Sequence, residues 1–285
     1  MRCVLLFIAI YAVGAAQAQP LIDLLSMNAL GSPGLNRLEV GATLPLRLDT
    51  LGRLLVFDPY WVQWKTTTDG DHYVPHRTDG VQETMQGAGC ALTYVAPFKA
   101  GWKLALAGIL RYHWLGEQRQ GDIQPGGVVL VSRACKPSLT ARCGVYVNHD
   151  AFGLFVMPLL GIDWRINPST NLYGVLPGSM TFERRSRHWY RWGLSFRAYT
   201  TSFGVRDGNY RRINENPLGL YMDHYVTRNI VLRTEAGWCI MRNVLGGPGD
   251  PLRHNTSVRR RGYADHGIPD APYVRLLLAY RLRLD

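Results

Sequence analysis

Residues 274 to 284 alternate in chemistry at every step. Val274, Leu276, Leu278, Tyr280, Leu282 and Leu284 fall on one face, and Arg275, Leu277, Ala279, Arg281 and Arg283 on the other. A period of two is the side-chain repeat of a β-strand, so one face suits lipid and the other a polar interior. The pattern recurs upstream. Trp102, Leu104, Leu106, Leu110, Tyr112 and Trp114 oppose Lys103, Ala105, Ala107, Arg111 and His113. Tyr190, Trp192, Leu194 and Phe196 oppose Arg191, Ser195 and Arg197, while Ile230, Leu232, Ala236 and Trp238 oppose Arg233 and Glu235. Residues 38 to 48 set Leu38, Val40, Ala42, Leu44 and Leu46 against Glu39, Thr43 and Arg47.

Alternation alone fits any antiparallel sheet with one buried face, including a soluble sandwich. Aromatic residues at the strand ends and runs of about ten residues favour strands that cross a bilayer. No stretch after the first residues is long and apolar enough for a transmembrane helix, because the most apolar run, 152 to 162, is short and contains Pro158. Short turns such as Asp49-Thr50-Leu51-Gly52 and Asn167-Pro168-Ser169-Thr170 separate the strands. Longer connections fall near 66 to 81, 116 to 125, 205 to 216 and 243 to 271. The expected fold is all-β, an antiparallel transmembrane β-barrel of about 10–12 strands. Its long loop at 243 to 271 is expected outside the cell. Short and long connections do not alternate cleanly between 166 and 216. Pro45, Pro59, Pro158 and Pro177 fall inside expected strands, which calls for bulges or earlier strand ends there.

The N-terminus supplies the compartment. Arg2, an apolar run from Cys3 to Val13 and Ala16-Gln17-Ala18 form a secretory signal pattern, with the mature chain expected from Gln19. The expected domains are therefore a signal peptide at 1–18, a lead-in segment at 19–37 and the barrel at 38–285. The net charge of +11 would suit nucleic acid, but export and the dispersal of the basic residues exclude that partner. The expected partners are outer-membrane lipid and lipopolysaccharide, with the barrel-assembly machinery during insertion.

The middle of the chain carries a resemblance. Gly126-Gly127-Val128-Val129, Gly144-Val145-Tyr146-Val147-Asn148, the run from Phe152 through Pro158-Leu159-Leu160-Gly161-Ile162-Asp163-Trp164-Arg165-Ile166-Asn167, and Leu172-Tyr173-Gly174-Val175-Leu176-Pro177-Gly178 are similar to an uncharacterised family of predicted outer-membrane β-barrel proteins common in Bacteroidota. The resemblance runs from about residue 38 to the C-terminus and is strongest from 125 to 204. It implies fold and location, and makes Pro158 and Pro177 a family trait. It implies no reaction, ligand or catalytic residue.

Alternation also nominates the interior. Arg47, Lys103, Arg111, Arg191, Arg197, Arg233, Arg275, Arg281 and Arg283 face inward with the acids Glu39, Asp163, Glu183, Asp223 and Glu235. A charge facing lipid at mid-depth costs about 2–4 kcal/mol, which drives these groups to the lumen. Two readings follow: an interior closed by ion pairs, giving a structural or ligand-binding barrel, or an open basic lumen acting as an anion-preferring channel. A lipid hydrolase or acyltransferase would need a His–Ser–acid set. His149-Asp150, Asp223-His224 and His254 lie in no such context, so no catalytic residue is nominated. No cofactor or metal is expected either, since His72 and His76 lie in a Gly/Pro loop. Arg259-Arg260-Arg261 is as readily a solvated cluster as a site for sugar phosphates. Cys135 and Cys143 flank a hairpin loop, and export allows a disulfide between them.

Overall fold

The computed structural model describes residues 21–68, 81–115, 122–187, 189–204, 209–248, 264–266 and 268–283. They form seventeen strand segments: β1 (Leu21–Ser32), β2 (Leu35–Ala42), β3 (Leu44–Leu48), β4 (Leu54–Thr68), β5 (Val81–Lys99), β6 (Trp102–Leu115), β7 (Asp122–Lys136), β8 (Leu139–Asp150), β9 (Gly153–Asn167), β10 (Thr170–Leu176), β11 (Ser179–Arg187), β12 (Tyr190–Arg197), β13 (Tyr199–Gly204), β14 (Asn209–Tyr225), β15 (Ile230–Pro248), β16 (Ala264–His266) and β17 (Ala271–Arg283). β2 and β3 are one broken strand against β4, and β12 and β13 another against β14. The short β16 extends the wall beside β15. The result is a closed antiparallel barrel of fourteen strands. β1 and β17 seal it, with Leu21 opposite Arg283 and Gly31 opposite Val274.

Fourteen exceeds the expected 10–12 because β1 comes from the segment read as a lead-in at 19–37. A register shift between Asp23 and Leu25 breaks the alternation that marks the other strands. β10 and β11, of seven and nine residues, also give little pattern to read. They explain the irregular connections between 166 and 216, since three successive turns there are short. Elsewhere the longer connections gather at one end. The connections at 49–53, 100–101, 137–138 and 226–229 are short and lie at the end that holds the start of β1 and the end of β17. The other end carries the short turns 33–34 and 151–152 and the longer connections 69–80, 116–121, 205–208 and 249–263, these four outside the described residues.

The prolines lie where the ladder is interrupted. Pro45 adjoins the register shift between β3 and β4. Pro59 faces the gap between β2 and β3, because β4 pairs with β2 from Tyr60 onward and with β3 from Phe57 downward. Pro158 lies above Leu160, the last residue of β9 that β10 reaches, so β9 has a ladder on one side only at that height. Pro177 is in the β10–β11 turn, after a cis peptide. Each therefore costs few or no ladder bonds.

The outer surface is apolar. Leu25, Val40, Leu92, Leu106, Leu160, Leu220, Leu232, Val274, Leu276 and Leu278 are all exposed. Phe98, Trp164, Trp189, Tyr190 and Tyr280 gather toward the short-turn end. An apolar belt edged by aromatic rings is the outside of a barrel built for lipid, consistent with an outer-membrane location.

Candidate functional site: a divided barrel interior

The alternation that points leucines outward sends the charges in, and they collect mainly on one side. Along β11, β12, β14, β15, β17 and β1 the interior is an ion-pair network. Arg191 meets Glu183 at 3.0 Å, and the Tyr221 hydroxyl donates to the other Glu183 oxygen at 3.3 Å. Asp223 accepts from Arg233 Nη2 at 2.8 Å and from Arg281 Nη1 at 2.6 Å, while Arg281 Nη2 reaches back to Asp23 on β1 at 3.0 Å. Glu235 accepts from the Tyr273 hydroxyl at 2.6 Å and from Arg275 at 3.1 Å, and Arg275 also donates to Asn28 at 2.8 Å. Higher up, Arg242 meets Glu215 at 3.2 Å and Ser32 at 2.9 Å. Arg233 also lies 3.9 Å over the Tyr221 ring. Apart from the half-buried Asp23 these groups are buried, so removing either partner strands a charge away from water.

The opposite side, β2 to β8, is more open. Gly87, Gly89, Ala91, Ala105 and Ala107 share the inward face of β5 and β6, and small residues leave room. Beside that face lies a cavity of about 470 Å³, lined in part by Arg37, Asp58, Tyr60, Ala91, Arg111 and Tyr199. Two glycines permit its wall. A Cβ on Gly87 would lie 2.2 Å from the His113 ring, and one on Gly89 would lie 2.7 Å from the Tyr60 hydroxyl.

The cavity is roofed from across the lumen. After Arg197 the chain leaves β11, and β13 turns inward while still paired with β14, packing against β6 and β8 on the far wall. Ser202 fastens it there. Its carbonyl accepts from the Gln124 side chain at 3.0 Å and lies 2.8 Å from His113 Nδ1. Its hydroxyl donates to Asp150 at 3.3 Å and accepts from the Ala151 N–H at 3.0 Å. Phe203 stacks on His113, with centroids 5.0 Å apart, and joins Ile213 and Val244 in an apolar cluster with Leu35, Val62, Trp64 and Met85. That cluster joins strands from opposite sides of the barrel.

Among the nominated basic residues, Arg191, Arg233, Arg275 and Arg281 take the pairings just described. Arg111 bonds the Tyr146 hydroxyl and approaches Asp150 at 3.8 Å. Lys103 is half-buried near the short-turn end, and Arg197 faces inward with no acid beside it among the described residues. The side chains of Arg47 and Arg283 lie outside the described residues. Of the acids, Glu39 pairs with Arg37, Asp163 with Arg142 at 2.7 Å, and Glu183, Asp223 and Glu235 as above.

Cys135 and Cys143 are free thiols, so the bridge that export allows is not formed. The hairpin is tight, with Lys136 opposite Leu139, so Cys143 faces Val131, four residues from Cys135. At about 3.4 Å per residue that offset exceeds the reach of a disulfide. His149 and His224 are exposed on outward faces, and His72, His76, His254 and Arg259-Arg260-Arg261 lie outside the described residues.

Sequence reading missed Arg37, Glu215, Arg242 and Ser202. Arg37 lies one residue before the segment taken as the first strand. Arg242 follows Met241, whose φ of 52° belongs to an irregularity between Asn214 and Asn216 that reverses inside and outside along β15. Strict alternation turns Arg242 outward, whereas the structure buries it.

No family model matches the chain, and no curated protein matches it. Among solved structures, the chain is similar to the toluene transporter TodX of Pseudomonas putida, at 8% identity over 90% of this chain and 88% of that one, with a TM-score of 0.39. It is also similar to the ferric enterobactin receptor PfeA of Pseudomonas aeruginosa in complex with BCV-L6, at 9% identity over 87% of this chain and 62% of that one, with a TM-score of 0.31. A mutant of the same receptor in complex with enterobactin matches at 10% identity over 87% and 54%, with a TM-score of 0.28. At such scores the likeness says nothing of activity, and the chain stands as a fourteen-stranded antiparallel β-barrel with a charged interior.

Proposed function

We propose that the protein is a closed, solute-binding outer-membrane barrel, neither a general diffusion channel nor an enzyme. The observation that carries this reading is β13, which crosses the lumen and is fixed to the far wall through Ser202. A barrel of fourteen strands falls between the small ones that side chains fill and the sixteen- to eighteen-stranded ones that hold a water channel, so its interior stays closed only if something fills it. Here β13, the apolar cluster and the ion pairs do so, and they leave a cavity large enough for a small organic solute.

Planar-bilayer recording tests the reading. Purified wild-type protein is expected to be silent. Phe203→Asp together with Ile213→Asp, which places two charges in the apolar cluster, is expected to release β13 and produce current. Steady current from the wild type overturns the proposal and favours an anion-preferring channel, in which Arg111→Glu with Arg197→Glu should weaken or reverse the selectivity.

A further inference from the structure

Behind the cavity wall lies a group of cations short of acceptors. Arg37 on β2 and Arg275 on β17 are both register partners of Leu30 on β1, Arg37 lies 4.1 Å over the Tyr199 ring, and Arg197 ends β12 two residues before Tyr199. Arg37 and Arg275 are buried, at 7% and 0% exposure. Among the described residues, Arg37 Nε and Nη1, Arg197 Nε and Arg275 Nη2 are buried with no hydrogen-bond partner. Glu39 is engaged by Arg37, and Glu235 by Arg275 and Tyr273. Three guanidinium groups against two carboxylates leave one positive charge in excess. Asp23 and Asp58 also line the cavity; Asp23 is held by Arg281, and Asp58 accepts from Thr43 and forms no ion pair with the three guanidinium groups among the described residues.

We propose that this cluster holds the oxyanion group of a small organic anion whose apolar body fills the cavity. The inference rests on the closed-barrel reading and names its ligand class. An oxyanion supplies the acceptors the guanidinium groups lack and balances the excess charge. Guanidinium is the side chain best matched to such a group, through paired donors in one plane. Arg37 and Tyr199 belong to both the cluster and the cavity lining, which places the acidic group at that end. Arg37 is held in place by its stack on Tyr199, 4.1 Å from ring centroid to guanidinium carbon, with Trp64 at 5.3 Å. The remaining lining explains why the anion has a body. Tyr60, Val62, Trp64 and Ile109 present apolar surface that inorganic phosphate leaves unused.

Isothermal titration of the folded full-length barrel with benzoate, and separately with inorganic phosphate, tests the proposal. Benzoate is expected to bind the wild type more tightly than phosphate does. Arg197→Gln removes no ion pair among the described residues and is expected to fold, yet to weaken benzoate about tenfold or more. Arg197→Lys is expected to recover part of the loss, and Arg228→Gln, on an exposed turn, none of it to lose. Phosphate binding as tightly as benzoate overturns the part assigned to the apolar walls. Absence of benzoate heat in a wild-type barrel that is silent in bilayers, or equal benzoate affinity in Arg197→Gln, overturns the anion site and leaves the closed-barrel reading intact. Current through the wild type overturns that reading on its own, whatever benzoate does.

Discussion

The two sides of the lumen solve the same geometric problem with different materials. On the side of β11, β12, β14, β15, β17 and β1, large charged side chains meet in pairs and fill the space. On the side of β2 to β8, glycine and alanine leave it open, and a piece of backbone, β13, is folded in to close it. Paired charges fix their neighbours, because every member is costly to leave alone in a medium without water. A folded-in strand fills only part of a space and leaves room for a ligand. The difference assigns stability chiefly to one half and binding to the other.

The sharpest way to break this contrast is to delete the shared carboxylate of the paired half. Asp223→Ala leaves Arg233 and Arg281 without their common acceptor, and a loss of about 3–5 kcal/mol is expected. Urea unfolding of the barrel in lipid vesicles reads it, and wild-type stability would remove the basis for the division. Next come substitutions that test inside against outside. Arg at Leu106 or Leu278, both exposed to lipid, is expected to cost about 2–4 kcal/mol at mid-depth and to reduce the compact band on unheated gels. The inward neighbours should then separate the halves. Ala105→Arg faces the open side and is expected to insert normally. Ala279→Arg enters a packed cluster with Tyr225, Val231 and Leu277 and is expected to fail. Equal behaviour at the two alanines would mean that the halves are not packed differently.

A smaller effect is expected at Gly87. Gly87→Ala pushes on the His113 ring and through it on the Ser202 carbonyl, for about 1–3 kcal/mol and an onset of current in the bilayer assay. Smallest is Asp58→Asn in the cavity, which breaks no ion pair among the described residues. A change within about 0.5 kcal/mol is expected in the same urea series. A larger loss there would show that the open side also carries stability through its charges.

What was legible in the sequence follows from the same physics. The wall could be read because lipid outside and charge inside leave a period-two record in each regular strand, as in 274 to 284. The five inward acids were named by that rule, and each meets an arginine in the structure. The record fails where the backbone slips a residue. The shift at Asp23 concealed β1, and Met241 concealed Arg242. The inward turn of β13 left no trace for a different reason. Tyr199 to Gly204 is an ordinary strand sequence, and its departure from the wall depends on β11 starting only at Ser179, which leaves β13 no neighbour on that side. A one-dimensional pattern records which face a residue shows. It does not record the height of the next strand.

The seam between β1 and β17 bears on how such a cylinder is made. Arg281 lies on the last strand and grips both Asp23 on the first and Asp223 on β14. Until the two ends of the sheet meet, Asp23 sits on an open margin with no cation opposite it, and Arg281 has only one of its two anions. Matching them requires the correct margins in the correct register. The final joining step thus carries its own proofreading, because a sheet that closes one residue out of step turns Asp23 toward lipid.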